Sequence, residues 1–158
     1  MKYCFDDGKE CTPYTCNVYD KCIGGRLMVK LYCDGGIKES CFVIVGREPV
    51  VFPTVDPDMP ASITTNQAEY YSLIAALQII ALQGEQDVEV FSDSQLLVRQ
   101  LTVKPSGYPV YKTKDLRLQQ LNRIVKSLEK EFDKVTYTWI PRKRNLAGKV
   151  LEERSKKR

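Results

Sequence analysis

Histidine is absent from the 158 residues, which removes the side chain that ordinarily moves protons near neutral pH. Any activity is therefore expected to show no histidine-like titration step. Long apolar runs are missing too, since no stretch reaches the roughly 18 residues that a bilayer span requires. The N-terminus lacks the basic-then-apolar layout of a secretion signal, and a cytoplasmic location is expected. No cysteine follows Cys41, and all six fall between Cys4 and Cys41. In a reducing cytosol they are expected as thiols or metal ligands rather than disulfides. Internal repeats and low-complexity tracts are also lacking, and charge of one sign does not dominate, with 24 Lys and Arg against 20 Asp and Glu. Only locally is the balance skewed: residues 142–158 hold eight Lys or Arg against Glu152 and Glu153. Such a cluster suits a polyanionic partner, and a solvated, frayed terminus is the plain alternative.

What is present suffices for one compact domain, long enough to bury about two-thirds of its unfolded surface in a single core. A composition of 43% hydrophobic and 28% charged residues is ordinary for a globular chain and separates neither catalysis from binding. Residues 1–25 show neither helical nor strand periodicity, are rich in Cys, Asp and Tyr, and end at Gly24 and Gly25, a plausible hinge. They are read as an N-terminal extension, with the domain proper at 26–158.

From Arg26 the pattern changes. Met28, Lys30, Tyr32 and Asp34 alternate with Val29, Leu31 and Cys33, as in a strand with two different faces. Residues 41–45 and 50–52 read as two further strands of a meander. After a proline-rich loop, a helical run extends from about Asn66 to Gln83 and is stopped by Gly84. Residues 88–92 form a short apolar strand and 94–101 a helix. A second long helix places Leu118, Leu121, Val125, Leu128 and Phe132 on one face. Residues 135–140 make the fifth strand, ended by Pro141. Strands separated by helices pair in parallel and a meander pairs antiparallel, so the fold class is α/β, a five-stranded mixed sheet flanked by helices.

Three acids occupy positions that a strand or helix would hold rigidly: Asp34 on the first strand, Glu69 in the first turn of the long helix, and Asp93 closing the fourth strand. Carboxylates distant in sequence can converge in this way on magnesium or manganese, and a pair of such ions can clamp the attacking and leaving oxygens of a phosphodiester. Each acid also has an ordinary explanation. Asp34-Gly35-Gly36 could be a hairpin turn, Asn66 with Glu69 a helix capping pair, and Asp93 a cap for the helix after it. Taken singly, the ordinary explanation wins each time. Together, and in this chain order, the three point to a metal site.

The segments Leu31-Tyr32-Cys33-Asp34-Gly35-Gly36, Thr65-Asn66-Gln67-Ala68-Glu69-Tyr70 and Phe91-Ser92-Asp93-Ser94 resemble the three acidic signatures of type 1 ribonucleases H. Trp139-Ile140-Pro141-Arg142 with Asn145 is similar to the stretch leading into that family's last helix. The resemblance covers roughly residues 26 to 152. It implies a ribonuclease H-like sheet in which Asp34 bridges two Mg2+ or Mn2+ ions and Glu69 and Asp93 complete the shell of one. The implied reaction is hydrolysis of the RNA strand of an RNA/DNA hybrid by metal-activated water, leaving a 3′-hydroxyl and a 5′-phosphate. It further implies substrate contacts from Gly35, Gly36, Asn66, Ser94, Arg142 and Asn145, those of Gly35 and Asn66 in the minor groove, where 2′-hydroxyls distinguish RNA from DNA.

The chain departs from that family at one acid. Where the fourth Asp is expected it reads Asn145-Leu146-Ala147-Gly148-Lys149-Val150-Leu151, so Gly148 or Lys149 stands in its place. Glu152 or Glu153, one helical turn onward, could reach the same ion. Alternatively three acids suffice, or the protein binds hybrids without cutting them efficiently. Arg142, Lys143 and Arg144 occupy the loop in which many relatives carry a histidine, and Arg is a poor proton shuttle. The connection from Thr102 to Tyr111 is too short for the basic helix that some members use to grip the hybrid. Lys104, Lys112, Lys114 and the basic C-terminal stretch are the substitutes considered, through phosphate neutralisation.

In the extension, Cys4, Cys11, Cys16 and Cys22 could enclose one Zn2+, but none of their gaps is the two-residue interval of a zinc knuckle. Unpaired thiols rank ahead of zinc. The function expected is therefore a metal-dependent endonuclease on RNA/DNA hybrids, acting as a monomer, with no membrane and no protein partner implied. The alternatives are a module that binds hybrids or double-stranded RNA with weak or no catalysis, and a DNA-acting nuclease of the same superfamily.

Overall fold

The computed structural model describes residues 19–23, 26–56, 63–84 and 87–158, with backbone alone at 19–23 and 26–27. The elements in chain order are β1 (Tyr19–Ile23), β2 (Arg26–Gly35), β3 (Glu39–Ile44), β4 (Val50–Pro53), α1 (Thr65–Ala81), β5 (Asp87–Ser92), α2 (Gln95–Leu101), α3 (Leu116–Glu129), β6 (Lys134–Trp139) and α4 (Leu146–Lys156). A 3-10 turn at Arg142–Arg144 precedes α4.

The mixed sheet expected from the alternation of strands and helices is present, in the order β4-β3-β2-β5-β6. β2 pairs antiparallel with β3 and parallel with β5, and β5 pairs parallel with β6. One strand was not expected. β1 pairs antiparallel with β2, Ile23 opposite Arg26 and Tyr19 opposite Val29, with a register irregularity between Tyr19 and Lys21. Part of the stretch read as a patternless extension thus belongs to the sheet, because the N-terminal half of β2 offers an edge that β3 does not reach. The zinc ligands considered at Cys4, Cys11 and Cys16 lie outside the described residues, as does the side chain of Cys22.

Period-two alternation sorts the sheet into two faces. Val29, Leu31 and Cys33 of β2, Phe42 and Ile44 of β3, and Val88 and Val90 of β5 enter the main core. They meet Leu73, Leu77 and Ile80 of α1, and Leu118, Leu121 and Val125 of α3 join the same cluster. Leu73, Leu77 and Ile80 have no exposed area, and truncating any one to Ala would cost about 2–5 kcal/mol. α3 stops at Glu129, and Phe132 packs into the core from the turn beyond it rather than from the helix. On the opposite face, Cys41 and Val43 of β3 pack against Ala147 of α4, with Tyr32, Val150 and Leu151 around them.

Arg117 of α3 donates to both carboxylate oxygens of Asp56 at 2.9 Å, and Tyr71 of α1 donates to the same fully buried carboxylate. This cluster ties α1, α3 and the segment after β4 together. Among the described residues no helix is long and apolar enough to cross a membrane.

Candidate metal centre at the ends of β2 and β5

Strand register brings the first two acids side by side. β2 and β5 run parallel with Tyr32 opposite Phe91, and the same register carried two residues further sets Asp34 beside Asp93. Neighbouring strands lie about 4.8 Å apart and residues two apart share a face, so both carboxylates emerge on one side of the sheet.

Glu69 joins them through a close approach of backbone to backbone. A Cβ on Gly35 would lie 2.1 Å from the carbonyl carbon of Ala68 and 2.3 Å from the nitrogen of Glu69, so only glycine lets the end of β2 touch the first turn of α1. Hydroxyl contacts hold that approach. Ser72 donates to the Cys41 carbonyl at 2.6 Å, Ser40 lies 2.7 Å from Thr54, and Thr54 donates to the Gly36 carbonyl at 2.6 Å. These hydroxyls carried no sequence signal beyond their polarity within otherwise apolar segments.

Each ordinary role weighed for the acids is filled by a neighbour. Asp34 sits in β2 opposite Cys41, and the turn lies beyond it, closed by Gly36 donating to the Glu39 carbonyl at 2.9 Å. α1 is capped by Thr64 and Gln67, whose side chains exchange hydrogen bonds with each other's backbone nitrogens at 3.1 and 3.2 Å. That leaves Glu69 without a capping role and Asn66 exposed on the first turn. α2 is capped by Ser94, which accepts from Leu97 at 3.2 Å. Asp93 therefore caps nothing, and Ser94, expected among the substrate contacts, is engaged in capping.

Oxygens of Asp34, Glu69 and Asp93 all lie within 4.8 Å of one another. Asp34 and Glu69 are 3% and 5% exposed. Burial pushes the Glu69 carboxyl up to about 10, with the charges of Asp34 and Asp93 adding to the effect. Asp34 is also raised, first by burial and then by the charge of Asp93. Oε2 of Glu69 is buried and has no hydrogen-bond partner. Three converging carboxylates, one of them with an orphaned oxygen, are costly in isolation and become favourable around a hard divalent cation that takes oxygen ligands. The residues present fit such an ion.

The other predicted site residues divide. Gly35, Gly36, Arg142 and Glu152 line an open cavity of about 720 Å³ together with Asp34 and Glu69, whereas Glu153 does not line it. Arg142 lies 3.5 Å from Asp93. Asn145 is a correction. It has no exposed area, its Nδ2 donates to the Cys33 carbonyl at 3.0 Å, and its Oδ1 accepts from Ala147 at 3.2 Å. It holds α4 to β2, and no atom of it is free to touch a substrate. At the missing fourth acid, a Cβ on Gly148 would lie 3.4 Å from Asp34 Oδ2, while Lys149 is exposed. Gly148, not Lys149, is the residue that faces the cluster.

Residues 48–153 match the family described as reverse transcriptase-like. Ribonuclease HI of Halobacterium salinarum is 37% identical over 95 residues, 57% of this chain and 45% of that protein. The crystal structure of RNase H1 from the same archaeon superposes with a TM-score of 0.66 at 28% identity, covering 83% of this chain and 99% of that one. The chain belongs to the type 1 ribonuclease H family. A further structural relative, LC11-RNase H1 in complex with an RNA/DNA hybrid, has a TM-score of 0.61 at 26% identity, over 75% of this chain and 88% of that one. A bifunctional protein of Mycobacterium tuberculosis is 34% identical over 82 residues, 52% of this chain and 21% of that protein. The chain thus spans less than half the length of these curated relatives. Where the resemblance to that family led to the expectation of a fourth acid, this chain has Gly148.

Proposed function

We propose that this chain is a divalent-metal-dependent endonuclease that hydrolyses the RNA strand of RNA/DNA hybrids. The observation that carries the reading is the meeting of Asp34, Glu69 and Asp93 within 4.8 Å, with a buried Glu69 oxygen left unpartnered. Family membership and the hybrid bound to LC11-RNase H1 support the substrate class.

In this reading Asp34, Glu69 and Asp93 hold Mg2+ or Mn2+, with two ions expected. When bound, such ions polarise the phosphoryl oxygens and lower the pKa of water. The chain's own residues do the positioning. Gly35 and Gly36 line the cavity with bare backbone that would meet the minor groove, and Gly35 also lets β2 close on α1, where a Cβ would collide with Ala68. The exposed guanidinium of Arg142 at the rim neutralises a backbone phosphate. Asn66, exposed on the first turn of α1, would meet a 2′-hydroxyl in this reading. With no histidine in the chain, proton transfer falls to water and phosphate.

The test is incubation of an end-labelled RNA/DNA hybrid with the protein in Mg2+ and in Mn2+. RNA cleavage that disappears in Asp34→Asn supports the reading. The bare Gly148 favours a second one, a hybrid-binding module with weak catalysis, which retained binding without any cleavage would establish.

A further inference from the structure

Glu39 holds two arginines beside the cavity that contains Asp34. Strand pairing places it there. Asp34 lies opposite Cys41, and Gly36 donates to the Glu39 carbonyl at 2.9 Å across the end of the same pair. Directly paired residues share a face, as do residues two apart, so Glu39 belongs to the same side of the sheet as Asp34, about 7 Å further along. That side is the one covered by α4, whose Ala147 packs on Cys41. From the last turn of α4, Arg154 donates to both Glu39 oxygens, from Nε at 3.2 Å and Nη2 at 2.9 Å. Arg158, just past the helix, donates to one of them at 2.6 Å.

Two cations on one anion leave a surplus. The bidentate Arg154 alone matches the Glu39 charge, so the charge of Arg158 is in excess within the cluster. Arg158 is 56% exposed and lines the cavity together with exposed Lys38, Asp34 and Glu69. Lys38 is fixed through its backbone, its carbonyl accepting from Thr54 at 3.0 Å. A guanidinium carries five N–H donors, and the one contact to Glu39 leaves Arg158 others for an anion. Because Glu39 already holds that side chain, a ligand has less rotamer entropy to remove.

We propose that Arg158 and Lys38, set around Glu39, form a seat for a backbone phosphate of the strand that enters the cavity. The inference rests on the reading of the cavity as the hybrid site. Phosphate charges recur about every 3.4 Å of axis along one strand, so the offset of Glu39 from Asp34 places the seat about two phosphates from the one at the acids. Arg154 is a positioning residue in this arrangement. It saturates Glu39 and leaves Arg158 to the phosphate.

Fluorescence anisotropy of a labelled RNA/DNA hybrid across a salt series counts the phosphate contacts, with Asp34→Asn as the background so that the hybrid stays intact. Arg158→Ala and Lys38→Ala are each expected to lower the slope of log affinity against log salt by about 1, and together to weaken binding about ten-fold or more. Arg154→Ala should lower the slope similarly, because Arg158 then only neutralises Glu39, and adding Glu39→Gln should restore it. A residue that merely staples the helix would show neither effect. Lys134→Ala, at the exposed start of β6 and so at the opposite end of the sheet from Asp93, should leave the slope unchanged. Slopes unchanged by Arg158→Ala and Lys38→Ala would overturn the inference and show that the Glu39 cluster only fastens α4 to β3; hybrid cleavage by the wild type would then leave the proposed function standing. A wild type that neither binds nor cuts the hybrid would overturn both.

Discussion

Asn145 donates from Nδ2 to Asp93 Oδ1 at 3.3 Å, so a fully buried amide that caps α4 also steadies a carboxylate of the candidate metal centre. Asn145→Ala removes the cap and leaves the Cys33 carbonyl and the Ala147 nitrogen without their partner. A stability loss of about 2–3 kcal/mol is expected, read from urea unfolding, together with weaker Mn2+ binding. Loss of stability with unchanged Mn2+ affinity would show that Asn145 braces the helix alone.

Gly35→Ala places a methyl within 2.3 Å of the α1 backbone, and β2 and α1 must then separate. The expected outcome is destabilisation of about 1–3 kcal/mol. Cleavage should fall by about a hundred-fold, since misplacing a reacting group by about 1 Å costs that much. Thermal melts and single-turnover cleavage read the two effects separately.

Much of this was legible in advance. The alternation through Val29, Leu31 and Cys33 and the three- and four-residue steps from Leu118 to Val125 mark their elements because burial of one face imposes those periods. The acids were legible as a set and ambiguous one by one, since Asp-Gly and Asn-x-x-Glu also occur as turn and cap. Resolving them needed Thr64, Gln67 and Ser94 in their capping positions, and local preference ranks neighbouring polar residues poorly. β1 was not legible, because its pairing depends on the free edge of β2 rather than on its own pattern. The burial of Asn145 was hidden for the same reason, as Cys33 and Asp93 reach it only through the fold.

The metal-free protein should lose stability as pH rises. The Glu69 carboxyl sits at about 10 in the fold against an ordinary 4.5, so its contribution is fully present below pH 4.5 and is lost progressively as pH climbs towards 10. Glu69→Gln should flatten this part of the pH profile of urea unfolding. A divalent cation must displace the same proton, so metal binding should release protons and tighten with pH. Calorimetry in buffers of different ionisation enthalpy measures that release.

Arg142 is 3.5 Å from Asp93 and largely exposed. Arg142→Ala should weaken hybrid binding and reduce the slope of log affinity against log salt by about 1. Cleavage at saturating hybrid should stay within a few-fold of wild type. An unchanged slope would place Arg142 off the phosphate path.

Manganese anomalous scattering from crystals soaked in Mn2+ bears most directly on the central claim, that Asp34, Glu69 and Asp93 together hold a divalent cation. A peak about 2–2.5 Å from oxygens of all three is the predicted result. A map with no peak there, in crystals whose three carboxylates remain clustered, would contradict it.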